Sequence, residues 1–309
     1  MKKINFIINY GISYIDSRFL HMNYQEKKVK FTNIISAEEC NDLLGEKIDS
    51  DEPFMACKFG STELANVTYY SLQPFVTKKR KKMVIDKLYT YSGFFPNDYT
   101  LLPRFSKVMF DTLTKTDILA NCTSIQEQYL LEKYAPTCQP AQGYLTPWDF
   151  ENPWTSSLKG KKVLVIHPFA DTIRNQYERR EKLFENKNVL PEFELHTIKA
   201  VQTLADETDV RFSDWFEALD FMCSEAKKID FDIALIGCGA YGMPLAAKIK
   251  EMGKSAIHMG GSLQLLFGIC GKRWDDNKKI KTMRNEYWVR PSEAECIKAA
   301  DLIEGGCYW

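Results

Sequence analysis

Apolar positions in the second half of the chain fall into short unbroken runs separated by stretches with helical spacing. Val163–Ile166 is such a run, and Phe231–Ile236 and Ser255–His258 read as the next strands. Continuous β-branched and Leu content marks strands buried on both faces, the pattern of a parallel sheet. Phe193–Lys199 reads as a further strand. Between these runs the spacing predicts helices over Asp171–Phe184, Phe212–Lys228 and Tyr241–Met252. Ser213 is the expected cap of the second helix, and Gly253 stops the third. In the first half, Phe54–Phe59 is a short apolar strand ending at Gly60, and a helix follows from about Thr62 with Leu64, Val67 and Leu72 inward. Lys78–Lys82 opens a helix running through Leu88, Tyr91–Tyr99 is an aromatic loop, and Asp117–Asn121 is a short strand. Ser36–Leu44 reads as a helix with Ser36 at its N-cap and Glu38 and Glu39 in its first turn.

This alternation predicts an α/β fold: a Rossmann-like, doubly wound, mostly parallel sheet with helices on both faces. The expected division is a helical N-terminal extension over 1–50 and an α/β domain over 51–309. A sub-boundary is expected at 135–160, where Pro136, Pro140, Pro147 and Pro153 make the chain irregular.

Composition narrows the function classes. The chain has 309 residues, 45% hydrophobic and 27% charged, which is globular rather than disordered. Lys plus Arg equals Asp plus Glu, so no general attraction to nucleic acid is expected. Nine cysteines are scattered without a C-x-x-C pair, which argues against zinc and for reduced thiols that pack as small hydrophobes. The basic start, MKKINFIINYGISYI, has its apolar run broken at Asn9, Tyr10 and Gly11, and no run of about 18 apolar residues occurs. A cytoplasmic protein is the expectation.

The strongest local signal is Gly237-Cys238-Gly239-Ala240-Tyr241-Gly242, set between a strand and a helix. Glycines there allow close backbone approach, and the N–H groups and dipole of the helix start favour an anion. A dinucleotide site also needs an acidic residue about 20 positions on, at the end of the next strand. That strand ends His258-Met259-Gly260-Gly261, so NAD is not expected. The alternative is that the glycines only permit tight strand–helix packing.

Lys58-Phe59-Gly60-Ser61-Thr62-Glu63 closes the first clear strand and groups a cation, a flexible turn, two hydroxyls and a carboxylate. Open α/β sheets bind ligands at such strand ends. Glu63 there is a candidate base or divalent-cation ligand; the alternative is a carboxylate satisfying the helix dipole. His258 closes a strand near the glycine turn and is a candidate phosphate contact or acid–base group, and His167-Pro168 ends another strand similarly. In Lys272-Arg273-Trp274-Asp275-Asp276, Arg273 suits a phosphate and Trp274 a stacked ring. Lys78–Lys82 is a solvated helix face or a contact for an anionic acceptor or membrane surface. Gly305-Gly306-Cys307-Tyr308-Trp309 is expected to dock on the body.

Two of these blocks carry a family resemblance. Lys58–Glu63 is similar to the Arg-Phe-Gly-x-x-Glu pattern, and Ile236–Gly261 to the C-terminal Gly-rich helix and strand, of the GT-D and GT-D-like glycosyltransferases of bacterial polysaccharide and protein glycosylation. Gly93–Asn97, Asn152-Pro153-Trp154, Val163–Phe169, Gly268–Trp274 and the GGCYW end support it. The resemblance implies transfer of a sugar from a nucleotide-sugar donor to a surface-glycan, lipid-linked glycan or glycoprotein acceptor, as in capsule assembly. It implies Mn²⁺ or Mg²⁺ held by an Asp-x-Glu, but the matching triplet here is Ser61-Thr62-Glu63, so Glu63 alone would serve as metal ligand. Where the family has an aspartate in the last strand, this chain has His258. On this reading Glu63 and His258 are catalytic. Lys58, Gly60, Ser61, Gly237, Gly239, Tyr241, Gly242, Gly260, Gly261 and Arg273 bind the donor, with His258 and Arg273 neutralising leaving-group charge. The site would lie in the cytoplasm or at the inner face of the membrane. The alternatives are an NAD(P)-dependent oxidoreductase and a non-catalytic nucleotide-sugar-binding subunit.

Overall fold

The computed structural model describes residues 1–31, 33–204, 207, 209–298, 300 and 305–309. Among these residues seven strands form one sheet: β1 (Met55–Cys57), β2 (Ile118–Ala120), β3 (Gln139–Ala141), β4 (Lys162–His167), β5 (Glu194–Lys199), β6 (Ile233–Ile236) and β7 (Ser255–His258). Their order is β3-β2-β1-β7-β6-β4-β5, and every neighbouring pair is parallel. The chain winds outward from β4 to β5, then returns across β4 to β6 and β7, where it meets β1. Such reversals open a crevice at the C-terminal strand ends.

Register divides the core in two. Ile118, Ala56, Ile257, Leu235 and Val165 form one cross-strand row. That row packs beneath helices Ala37–Asp49 and Ala170–Tyr177, with Leu44, Trp154 and Phe169 fully enclosed. Met55, Ala256, Ala234 and Leu164 form a row on the opposite face. The two alanines leave room for helix Gly242–Glu251, whose Leu245, Ala246 and Ile249 are fully buried. Helices Ser61–Ser71, Leu102–Leu113, Ile125–Tyr134 and Trp215–Ala226 complete that layer. All nine thiols are unbridged, and eight are buried.

The expected strands are present: β1, β2, β5 and β6 are shorter than expected, β4 extends one residue further at each end, and β7 has the expected bounds. The helix expected over Asp171–Phe184 is Ala170–Tyr177, followed by a separate turn at Arg180–Lys182. Asp214, not Ser213, caps helix Trp215–Ala226, accepting the Glu217 N–H at 2.9 Å. The stretch expected to be irregular contains β3, on the sheet edge. Pro140 is tolerated there because an edge strand can lack a ladder donor. The terminal Trp309 docks on the body through its Nε1–H to the Glu295 carbonyl at 3.2 Å.

Glu295 is a buried carboxylate that closes a long-range cap. It accepts the Asp171 N–H at 2.8 Å and the Thr172 N–H and hydroxyl, at the start of helix Ala170–Tyr177. Removing it leaves those donors buried beside a helix N-terminus. Glu295→Ala is therefore expected to lower unfolding free energy by about 2–3 kcal/mol in urea titration, with an unchanged m-value.

Candidate functional site

A cavity of about 430 Å³ opens at the C-terminal ends of the central strands. Its floor is assembled from the residues following four strands: Lys58 to Glu63 after β1, His167 at the end of β4, Gly237 to Gly239 after β6, and His258, Gly260 and Gly261 at and after β7. Helix Lys78–Ser92 supplies one wall with Met83, Lys87 and Tyr91. Residues 201–204 supply another, and Arg273 and Tyr308 close the rim.

Glu63 sits in the first turn of helix Ser61–Ser71 and is only 5% exposed. Its carboxylate folds back over the helix start. A Cβ added at Gly60 would lie 1.9 Å from Glu63 Oε2, so a side chain there would push the Glu63 carboxylate out of this position. Thr62 donates its hydroxyl to the same oxygen at 3.1 Å. This is the dipole-satisfying arrangement, and it also leaves Glu63 on the cavity wall. Lys58 is the cation beside it. Burial lowers the Lys58 pKa, Arg273 adds to that depression, and the Glu63 charge opposes it. Arg273 reaches Tyr308, donating from Nη1 to the phenol oxygen at 3.2 Å with its guanidinium 5.0 Å from the ring centre.

The two strand-end histidines are neutral at pH 7. Burial drives His258 down to about 3, and the Lys58 charge adds to the shift. Burial also takes His167 to about 3. His258 therefore carries no charge into the cavity, contrary to the expectation that it neutralises a leaving group; it offers a hydrogen bond. Its Nδ1 is buried without a partner among the described residues. His167 Nδ1 accepts the Phe169 N–H at 3.0 Å, which places the proton of the neutral ring on Nε2. Both folded pKa values lie below the unfolded value, so the unfolded chain binds protons first as pH falls. Stability is then complete above about pH 6.5 and drops progressively toward pH 3, each unit of depression being worth about 1.4 kcal/mol. Urea midpoints measured against pH are expected to fall over that window, and less steeply in His167→Asn.

The glycine turn is filled largely by the protein itself. A Cβ at Gly237 would lie 2.7 Å from the Gly260 carbonyl and 2.8 Å from the His167 ring. Gly239 has φ +56°, and a Cβ there would meet the Ser92 carbonyl at 2.7 Å. Gly242 lies under His258, with a Cβ position 2.2 Å from ring atoms Cδ2 and Nε2. Gly237, Gly239 and Tyr241 line the cavity; Gly242 does not, and acts by seating the His258 ring. Trp274, expected to stack a ligand ring, is also not a lining residue. It packs edge-on to Tyr308, 6.3 Å between centres.

The resemblance implies a divalent cation, and the donor set does not fit one held by the protein. Among the described residues no group of three metal-ligating side chains occurs. Glu63 is the single carboxylate among the described lining residues, and Lys58 stands beside it. Hard cations of this kind take several oxygen ligands.

Sequence reading missed several lining residues. Gln264 is fully buried, donating to the Ile269 and Tyr308 carbonyls at 3.2 Å, and its Oε1 has no partner among the described residues. Thr203 donates to the Gly93 carbonyl at 2.8 Å and joins two walls. Tyr308 lies in the tail that was expected to dock, which was the one available signal for it.

Residues 150–266 match the GT-D fold-like domain. Over those residues the chain is similar to that domain. That segment contains β4 to β7, His167, the glycine turn, His258 and Gln264, whereas Lys58, Glu63 and Arg273 lie outside it. Two solved structures are similar. One is a selenomethionine-substituted domain of unknown function 1792, the other "A New Glycosyltransferase (DUF1792) from Streptococcus sanguinis". Each is 12% identical at a TM-score of 0.43. Each match covers 74% of this chain, with 78% of the first structure's chain and 81% of the second's. No curated protein matches the chain.

Proposed function

We propose that the protein is a glycosyltransferase that moves a sugar from a nucleotide-sugar donor to a glycan, lipid-linked glycan or glycoprotein hydroxyl. The observation that carries this reading is the juxtaposition of Glu63 with Lys58 and Arg273 on one cavity at the strand ends of a sheet that includes a GT-D-like domain. A diphosphate needs cations, and an acceptor hydroxyl needs a base; the cavity offers both within one space.

In the proposed reaction the acceptor oxygen forms a bond to the anomeric carbon while the bond from that carbon to the diphosphate oxygen breaks. The hydroxyl proton passes to the Glu63 carboxylate. The nucleoside diphosphate leaves with the electron pair, and Lys58 and Arg273 offset its charge. His258 and His167, both neutral, orient donor oxygens by hydrogen bonds. No step is assigned to a metal ion. Surface-polysaccharide or capsule assembly at the cytoplasmic side is the setting we favour. A dinucleotide-dependent oxidoreductase has less support, because the motif glycines abut His167, Ser92 and His258 and β7 ends without an acidic residue.

The test is incubation with a panel of nucleoside-diphosphate sugars and mixed glycan acceptors, with release of nucleoside diphosphate and labelled product followed by chromatography. Turnover of one donor is expected. Tight donor binding with no turnover under any acceptor would instead support a non-catalytic binding subunit.

A further inference from the structure

The first helix, Lys3–Ile15, is apolar on two sides. Phe6 faces inward, stacked on Tyr129 with ring centres 4.0 Å apart. The opposite side exposes Ile4, Ile8, Ile12 and Ile15, spaced as one helical stripe, with Ile4 at 70% and Ile8 at 54% exposure. The chain continues this stripe beyond the helix. Asp16 accepts the Met22 N–H at 2.8 Å and the Tyr24 N–H at 2.7 Å, closing a tight loop. That loop holds Phe19 and Met22 outward, at 67% and 60% exposure. A contiguous exposed apolar strip of this kind needs something to cover it.

Its surroundings are basic. Residues 1–31 contain Lys2, Lys3, Arg18, Lys27, Lys28 and Lys30 against Asp16 and Glu26. Lys3 Nζ bonds the Gln73 carbonyl at 3.0 Å, which ties the helix to the loop carrying the exposed Phe75. The Arg80 guanidinium lies 5.0 Å from the Tyr14 ring centre, joining the helix to the run Lys78–Lys82. The helix that this run opens continues to Met83, Lys87 and Tyr91 on the cavity wall. The Arg80–Tyr14 contact thus joins the helix bearing the apolar strip to the helix that opens with the basic run and lines the cavity.

We propose that the outward face of helix Lys3–Ile15 and its following loop lie in the interfacial layer of an anionic lipid surface, with Lys78–Lys82 against the headgroups. Isoleucines and Phe19 enter the acyl boundary, and the lysines answer the negative surface potential. The occupant is a lipid surface rather than a second copy because six cations against two carboxylates in residues 1–31, with the run Lys78–Lys82 joined to the helix through Arg80 and Tyr14, give this region an excess of positive charge, which a second copy would repel and anionic headgroups would attract. Among the described residues no helix is long and apolar enough to cross a membrane, so the contact is peripheral. If the transferase reading holds, the helix that presents Lys78–Lys82 to this surface also lines the cavity, so a lipid-linked acceptor would approach the site from the membrane side. The docking itself does not depend on that reading.

The experiment is co-sedimentation of the full chain with phosphatidylcholine vesicles, with and without phosphatidylglycerol, together with light scattering of the protein alone. Two double variants are compared: Ile8→Asp with Ile12→Asp, and Lys79→Glu with Lys82→Glu. Wild type is expected to sediment with the anionic vesicles and to be released by salt. Each double variant is expected to weaken the partition by roughly tenfold or more while unfolding at the wild-type midpoint. The isoleucine variant is also expected to keep wild-type turnover on a soluble acceptor, which separates loss of docking from failure of the catalytic assignment. Wild type remaining in the supernatant with both vesicles would overturn the proposal. So would partition that survives the isoleucine changes, or a dimer in light scattering that those changes dissociate.

Discussion

Glu63→Gln is expected to cut sugar transfer by roughly 10²–10⁴-fold, the usual contribution of a positioned general base, while donor binding persists. The isosteric amide keeps the shape of the carboxylate that folds over Gly60 and can still accept from Thr62, 3.1 Å away in the wild type. It removes only the proton acceptor and the negative charge. Because Glu63 is the larger of the two charges that oppose depression of the Lys58 pKa, Glu127 being the other, its loss lets that pKa fall further. The variant should therefore show a donor affinity that weakens at lower pH than wild type does on alkaline titration. Single-turnover kinetics with saturating donor and acceptor separate the lost chemistry from this change in binding.

Lys58→Met is expected to act in the opposite sense on stability and activity. Loss of a preorganised cation at the leaving diphosphate should lower kcat by roughly 10²–10³-fold and weaken the donor as well. The same change should raise the melting temperature of the ligand-free protein. Lys58 is held largely out of water, and its folded pKa lies below the unfolded value, so the charged form costs stability at neutral pH. That cost fades as pH rises through the folded pKa and is gone above the ordinary lysine range. In wild type, stability should accordingly climb over that alkaline window while diphosphate affinity falls. A lysine with no role at the diphosphate would give the stabilisation but neither the loss of donor affinity nor its fall at alkaline pH. Thermal melts and donor titrations from neutral to alkaline pH measure both.

Which parts of this picture the chain announces depends on how local the cause is. β4 and β6 are legible because a strand buried on both faces must be apolar at nearly every position, and Val163–Ile166 and Ile233–Ile236 are. Helix Leu102–Leu113 is masked by Pro103, which reads as a breaker yet sits in the first turn, where its missing N–H costs nothing. Helix Ile125–Tyr134 is announced only by the capping box of Ser124 and Glu127. β3 is hidden by Pro140, which an edge strand accepts.

The site follows the same division. Lys58, Glu63 and His258 are visible because they flank the glycine turns at strand ends, where α/β sheets gather ligands. The neutral state of His258 is not visible, because it comes from burial set by Gly242 beneath the ring, Lys58 beside it and Tyr144 bonding the His258 carbonyl at 2.9 Å. Gln264, Thr203 and Tyr308 reach the cavity through packing between distant segments, and no local pattern encodes that. The G-x-G-x-x-G match shows the limit of a motif: its spacing is met, yet its glycines make room for His167, Ser92 and His258.

The most direct test of the central assignment is calorimetric titration of wild type and Lys58→Met with a panel of nucleoside-diphosphate sugars in the presence of EDTA. The account predicts that one donor binds wild type without added metal and that Lys58→Met loses this binding. Binding that appears only with Mn²⁺ or Mg²⁺, binding that survives Lys58→Met, or binding of NAD(P) with no nucleotide sugar would contradict it.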